Sequence, residues 1–201
     1  MPDGANHVAF AYSADGKDRF MTVYPNLNLL DGTKDFSGAW WTNEGWEDDG
    51  TYKGLTVKRK TGLGPGITRQ FIAPKDGVYT FSSYVKSPVG ADIQRRVTLN
   101  GVSGTIVPDK SLGNSFDWKR DSFQVTLKAG DKIFTQYQIT GGGSIWTAGH
   151  KWEHGSTATE WMPSFSEVTT EDYPSYIGTY TDNDSSKQST DPARYTWEKI
   201  E

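Results

Sequence analysis

The chain has 201 residues, a formal net charge of −4 and no cysteine, which excludes a disulfide framework and a thiolate metal site. Its acidic balance argues against nucleic acid, whose recognition begins with a basic field. No apolar run approaches the roughly 20 residues that span a bilayer, and Met1-Pro2-Asp3-Gly4 has neither the basic nor the apolar region of a secretory signal. Aromatic residues make up 13% of the chain and eight are Trp, so a few large rings can build a core despite modest aliphatic content.

Helix-period patterns are scarce and period-two alternation is common. Val8, Phe10 and Tyr12 alternate before the turn Ser13-Ala14-Asp15-Gly16. The stretch Ala39 to Tyr52 crowds Trp40, Trp41 and Trp46 among glycines and acids such as Glu44, with the amide Asn43 beside them. A sugar's C–H face stacks on an aromatic plane while its hydroxyls need amide and carboxylate partners, so this stretch is a first candidate glycan site. Adjacent Trp40 and Trp41 point to opposite faces of a strand, which assigns one of them to the core in the alternative reading. Gly62-Leu63-Gly64-Pro65-Gly66 lacks the Lys-Ser/Thr and following helix of a phosphate loop.

Val78 to Val85 is predicted to be a strand with Tyr79, Phe81, Ser83 and Val85 on one face and Thr80, Ser82 and Tyr84 on the other. In the next strand Ile93, Arg95, Val97 and Leu99 oppose Gln94, Arg96 and Thr98. Strands at Phe123–Leu127 and Lys132–Thr140 follow, separated by turns such as Asn100-Gly101 and Lys128-Ala129-Gly130-Asp131. A second candidate site is a concave sheet face carrying Tyr84, Gln94, Arg96, Gln136 and Gln138, because amides and guanidinium donate to hydroxyls in fixed geometry. The competing reading is an ordinary solvated face of an antiparallel sheet. Trp146, after a glycine-rich turn, suits either role, whereas Trp118, Trp152, Trp161 and Trp197 read as structural. His150 and His154 lie four apart on a strand-like segment, where that spacing does not bring both to one metal. Tyr176–Tyr180 and Arg194–Ile200 are strand-like, with a polar stretch between them.

Several short strands with regular turns predict an all-β fold, a β-sandwich or jelly roll. The expected organisation is a small β-module formed by residues 1–23 and 169–201, with residues 24–168 inserted between its halves. Acid pairs such as Asp48/Asp49 and Glu171/Asp172 are sequence neighbours. Glycoside hydrolysis instead needs two carboxylates about 5–9.5 Å apart across a cleft, and no nucleophile elbow occurs. No catalytic residue is therefore expected.

The end segments, Asn6 to Gly16, Tyr176 to Asp182 and Ser189-Thr190-Asp191-Pro192 to Trp197, resemble a repeat of siphophage tail and baseplate proteins from phages of lactococci, streptococci and related Gram-positive bacteria. The middle resembles the jelly-roll, galactose-binding-like carbohydrate-binding modules that such accessory baseplate, distal tail or tail-fibre proteins carry. The matching residues are Asn28-Leu29-Leu30, Lys34 to Ser37, Gly77 to Ser82, Asp117 to Arg120 and Lys151 to Pro163. Where Trp152 stands the family usually has Leu.

The resemblance implies non-catalytic binding of host cell-wall polysaccharide, a place in the virion's tail baseplate after synthesis in the bacterial host cytoplasm, and other baseplate proteins as partners. It implies neither nucleic-acid binding nor membrane insertion. Related jelly rolls often carry a structural calcium, for which Asp31, Asp35 and Glu153 would supply oxygens; the alternative is solvated turn carboxylates, with no cofactor. Two rival functions remain: a glycan depolymerase and a purely structural baseplate spacer. The abrupt start and finish read as those of an excised fragment.

Overall fold

The computed structural model describes residues 4–41, 45–62, 66–88 and 92–201. Its strands are β1 (Ala5–Ala11), β2 (Trp46–Tyr52), β3 (Leu55–Thr61), β4 (Phe71–Ile72), β5 (Gly77–Ser87), β6 (Ile93–Leu99), β7 (Val102–Ser103), β8 (Lys110–Gly113), β9 (Phe116–Leu127), β10 (Lys132–Ile139), β11 (Ser144–His154), β12 (Tyr176–Asp182) and β13 (Thr196–Lys199). Two 3₁₀ turns, Thr170–Asp172 and Pro192–Arg194, are the helical segments among the described residues. The chain divides into two compact units: Met1–Leu27, Thr159–Met162 and Glu167–Glu201 form one, and Asn28–Ala158 with Pro163–Ser166 the other.

The smaller unit is an antiparallel sheet in the order β1-β12-β13, with Val8 opposite Thr179 and Gly178 opposite Trp197. A sheet of three short strands needs a covered face to be stable, and aromatic rings supply one. Phe20 meets Tyr195 and Trp197 edge-on, and Tyr180 meets Tyr195 likewise. Gly178 is required here, since a Cβ would lie 2.8 Å from the Trp197 ring. His7 stacks on Tyr180 at 4.5 Å and its Nε2 lies 2.8 Å from Asp182 Oδ1. The Asp182 carboxyl is held below its usual range, first by the Asp184 backbone N–H and then by His7.

The larger unit is a sandwich of two five-stranded sheets. Sheet A runs β2-β3-β11-β5-β9; sheet B runs β4-β10-β6-β7, with β8 also paired to β6. Hairpin turns follow the sequence closely. Asn100 and Gly101 (φ 50° and 82°) join β6 to β7, and Lys53 and Gly54 (φ 51° and 78°) join β2 to β3. Two consecutive positive φ angles are what a two-residue type I′ hairpin requires.

The core lies between the sheets. Sheet A contributes Tyr79, Phe81, Val85, Val125 and Trp152; sheet B contributes Phe71, Ile93, Val97, Ile133, Tyr137 and Ile139. Trp152 is 1% exposed, stacked on Phe71 at 5.1 Å and packed against Phe81 and Phe123. A Leu there could not cover all three rings. Asn28 closes one margin: its side-chain amide N–H donates to His150 O and Thr33 Oγ1, and its Oδ1 accepts from the Leu30 and Trp152 backbone N–H groups. Every capacity of that buried amide is used.

A polar bridge crosses the core. Arg95 (β6) donates to Asp121 Oδ1 (β9) at 2.8 Å, and the Tyr137 hydroxyl (β10) donates to Asp121 Oδ2 at 2.8 Å and meets Ser83 (β5). Burial, and next the neighbouring Asp121 charge, push the Tyr137 hydroxyl pKa well above its ordinary value.

Candidate glycan-binding faces

Each sheet has a face turned away from the core, and the two faces carry different chemistry. On sheet B, β6 and β10 pair in register, which sets Gln94 opposite Gln138, Arg96 opposite Gln136 and Thr98 opposite Phe134. These side chains point outward because their strand neighbours Ile93, Arg95, Val97, Ile133, Tyr137 and Ile139 are buried. Gln94, Gln136 and Gln138 are half-buried, and none of their side-chain amides makes a hydrogen bond among the described residues. Arg96 is braced by Asp109, whose Oδ2 accepts from Nε and from a terminal guanidinium nitrogen, both at 3.2 Å. Trp41 flanks the row: its backbone bridges Thr68, its ring meets Phe134 edge-on at 5.3 Å, and it is 49% exposed.

On sheet A the outward positions of successive strands are Glu47 (β2), Arg59 (β3), Trp146 (β11) and Lys86 (β5), each paired with the next. Trp118 (β9) completes the row beside Lys86. The Lys86 ammonium lies 4.9 Å from the Trp146 ring centroid and 5.3 Å from that of Trp118. Trp146 Nε1 donates to Asp49 at 2.6 Å, and Tyr52 stacks on Trp118 at 4.2 Å. Tyr84 lies in the next row opposite Arg120 and meets Tyr52 edge-on. Its ring is seated over Gly149, in the irregular stretch of β11 between Ala148 and Lys151. Gly149 has φ +63°, and a Cβ there would come 3.0 Å from the ring and 2.8 Å from Leu55.

Tyr84 therefore does not share a face with Gln94, Arg96, Gln136 and Gln138: it lies on the opposite sheet and is 5% exposed. Strand phase correctly turned it from the core, but covering by Tyr52 and Arg120 removes it from solvent. Trp146 also lies on sheet A. Of the three crowded Trp, Trp46 is partly buried against the core. Trp40 packs on Phe36 and His150 and donates its indole N–H to Ser37 O. Trp41 faces solvent; Asn43 and Glu44 lie outside the described residues, as do Leu63 to Pro65. Trp118 is half-exposed in the sheet A row rather than packed in the core. Phe134, Asp109 and Lys86 were not singled out by sequence reasoning, and Tyr52 stood only at the end of the Trp-rich stretch; the outward phase of Phe134 with Gln136 and Gln138 was the available signal.

Asp31 pairs with Arg69, Asp35 accepts from its own turn at Ser37, and the buried Glu153 pairs with Lys151 at 3.3 Å. Among the described residues no three His, Cys, Asp or Glu side chains form a group that could hold a metal ion. His150 is buried against Phe36, Trp40, Phe81 and Tyr137, and burial lowers its pKa to about 3. It packs as a neutral ring and touches Thr147 Oγ1 at 2.9 Å.

No protein-family model matches the chain, and no curated protein does. Among solved structures it is similar to the tripod (BppUct-A-L) from the baseplate of bacteriophage Tuc2009, at 27% identity with a TM-score of 0.71, covering 100% of this chain and 80% of that one. Weaker likenesses are to a family 35 carbohydrate binding module from Clostridium thermocellum (15% identity, TM-score 0.46, 58% of this chain and 92% of that one) and to TmCBM61 in complex with β-1,4-galactotriose (13%, 0.48, 65% and 100%). The likeness to the baseplate tripod runs over the whole of this chain, the terminal β-sheet and the jelly-roll sandwich alike.

Proposed function

We propose that this chain binds host cell-surface polysaccharide without cleaving it, and that the outer face of sheet B holds the sugar. The observation that carries this reading is the set of three half-buried side-chain amides, Gln94, Gln136 and Gln138, with no side-chain hydrogen bond among the described residues, beside a half-exposed Trp41. Each amide offers two N–H donors and a carbonyl acceptor. Adjacent sugar hydroxyls need such paired donors and acceptors, and the apolar face of a pyranose needs a flat ring like that of Trp41. Asp109 holds the Arg96 fork in place before a ligand arrives, which limits the ordering cost of binding. Asp109 is itself engaged by Arg96, so the face offers binding groups rather than an acid–base pair poised across a bond.

A single open polar site gives modest affinity. Presentation of several copies in a baseplate raises avidity by roughly 10²–10⁴ without new contacts. The test is a multimeric fluorescent fusion on host cells, with reducing ends of purified cell-wall polysaccharide measured in parallel. Cell labelling that falls steeply in Gln136→Ala and Arg96→Ala, with no new reducing ends, is expected. Full labelling by both variants would refute the site, and sustained release of reducing ends would refute the non-catalytic reading.

A further inference from the structure

We infer that the outer face of sheet A is a second saccharide site, selective for sugars that carry a negative charge. The inference stands on the row Arg59, Trp146, Lys86 and Trp118 and is independent of the sheet B reading.

Two features distinguish this row from a solvated sheet face. First, both indoles are fixed before any ligand binds. Trp146 is anchored by its N–H donated to Asp49, and Trp118 by the nearly parallel Tyr52 ring, 11° from coplanar. A pre-set aromatic surface loses little side-chain freedom on binding. Second, Lys86 lies between the two rings with no carboxylate paired to it among the described residues. The acids of the neighbourhood are already engaged: Glu47 and Asp49 on Arg59, Asp48 on Lys58, and Asp49 also on the Trp146 indole. Strand pairing places Arg120 beside Tyr84, and Lys53 lies 5.1 Å from the Tyr84 ring centroid. The part of the face around Lys86 is thus ring-lined, with the Lys86 ammonium at its centre.

A neutral sugar would stack on the indoles and leave the ammonium without an ionic partner. A pyranose with a carboxylate or phosphate group meets both: its C–H surface lies on Trp118 or Trp146 and its anion reaches Lys86. Uronic acids and phosphorylated sugars share this chemistry.

The full chain, labelled at its tryptophan indoles, is titrated with trigalacturonic acid, with glucose 1-phosphate and with neutral β-1,4-galactotriose, and the indole N–H signals are followed by NMR. Signals of Trp118 and Trp146 are expected to move with at least one of the two acidic probes, and the arm that moves them identifies carboxylate or phosphate. Lys86→Gln should weaken that binding roughly tenfold and remove its salt dependence. Trp118→Ala should abolish it while leaving cell labelling through sheet B unchanged. Should Trp118→Ala lower Tm sharply, Lys86→Gln alone decides, since that solvent-facing exchange leaves the rings in place. Indole signals unmoved by both acidic probes would overturn the inference. So would equal binding of galactotriose that Lys86→Gln does not alter. Either result leaves the sheet B reading untouched, because that reading is tested on Gln136 and Arg96.

Discussion

The two outward faces of the sandwich share one core but are built differently. Sheet B presents amides that nothing among the described residues engages, arranged by strict antiparallel register between β6 and β10. Sheet A presents rings and cations that already engage one another, through Trp146 with Asp49, Trp118 with Tyr52 and Lys86 with both indoles. Open hydrogen-bonding capacity suits neutral hydroxyls, whereas a pre-assembled cationic aromatic row suits a charged sugar. On the proposed reading the sandwich presents two recognition chemistries on opposite sides, while Arg95, Asp121, Tyr137 and Ser83 join its two sheets internally.

That stitch gives the largest expected effect. Asp121→Ala leaves the Arg95 guanidinium buried without its carboxylate and should destabilise the fold by about 3–5 kcal/mol. Denaturant unfolding measures the loss, and binding at both faces should fail together as the sheets separate. If one face kept its affinity under conditions where the other had lost it, the shared-core account would be broken.

The next effect depends on pH. His150 has a folded pKa of about 3 against an ordinary 6.5. The unfolded chain takes up the proton first, so stability is fully present above about pH 6.5 and is lost progressively as pH falls toward 3. The loss is up to roughly 4–5 kcal/mol at the acid end. His154 is lowered in the same direction by burial and then by Lys75, and adds to the slope. His150→Phe preserves the ring contacts, and Thr147 Oγ1 keeps its bond to Tyr84 O. Melting curves between pH 6.5 and 4 should be visibly flatter in this variant; an unchanged slope would show that His150 is not the acid-sensitive group. Because His150 meets both Tyr137 of sheet B and Phe81 of sheet A, both faces should weaken in parallel as pH falls.

Smaller effects separate the faces. Arg96→Ala should cost about 1–3 kcal/mol of glycan binding, as loss of a charged hydrogen-bonding group does, with little change in Tm. Trp41→Ala should weaken the same binding by about 1 kcal/mol, because half its surface is already exposed. Isothermal titration with cell-wall polysaccharide checks both. Neither should alter binding of an acidic sugar to sheet A.

Much of this arrangement was legible in the sequence, for a physical reason. Alternation along a strand has a period of two, so Gln94 with Arg96, and Gln136 with Gln138, had to share the face opposite their buried neighbours. Tyr84 exposes the boundary of that reasoning. Phase states which side of its own sheet a residue occupies but not which sheet the strand joins, and β5 pairs with β9 and β11 rather than with β6. Those partners lie far away in sequence. Trp118 teaches a related point: a bulky ring at a strand entry reads as structural, yet the alternation from the buried Asp121 through Arg120 sets it on the outer face next to Lys86. Lys86 carries no signal of its own in the sequence, because an ammonium becomes distinctive only once two indoles enclose it.

The central claim is that sheet B holds the host glycan, and a residue-resolved NMR titration of the full chain with purified host cell-wall polysaccharide tests it most directly. The account predicts shifts concentrated on the side-chain amides of Gln94, Gln136 and Gln138, on Arg96 Nε–H and on the Trp41 indole. Shifts confined to other parts of the chain, with those five groups unmoved at saturating polysaccharide, would contradict it.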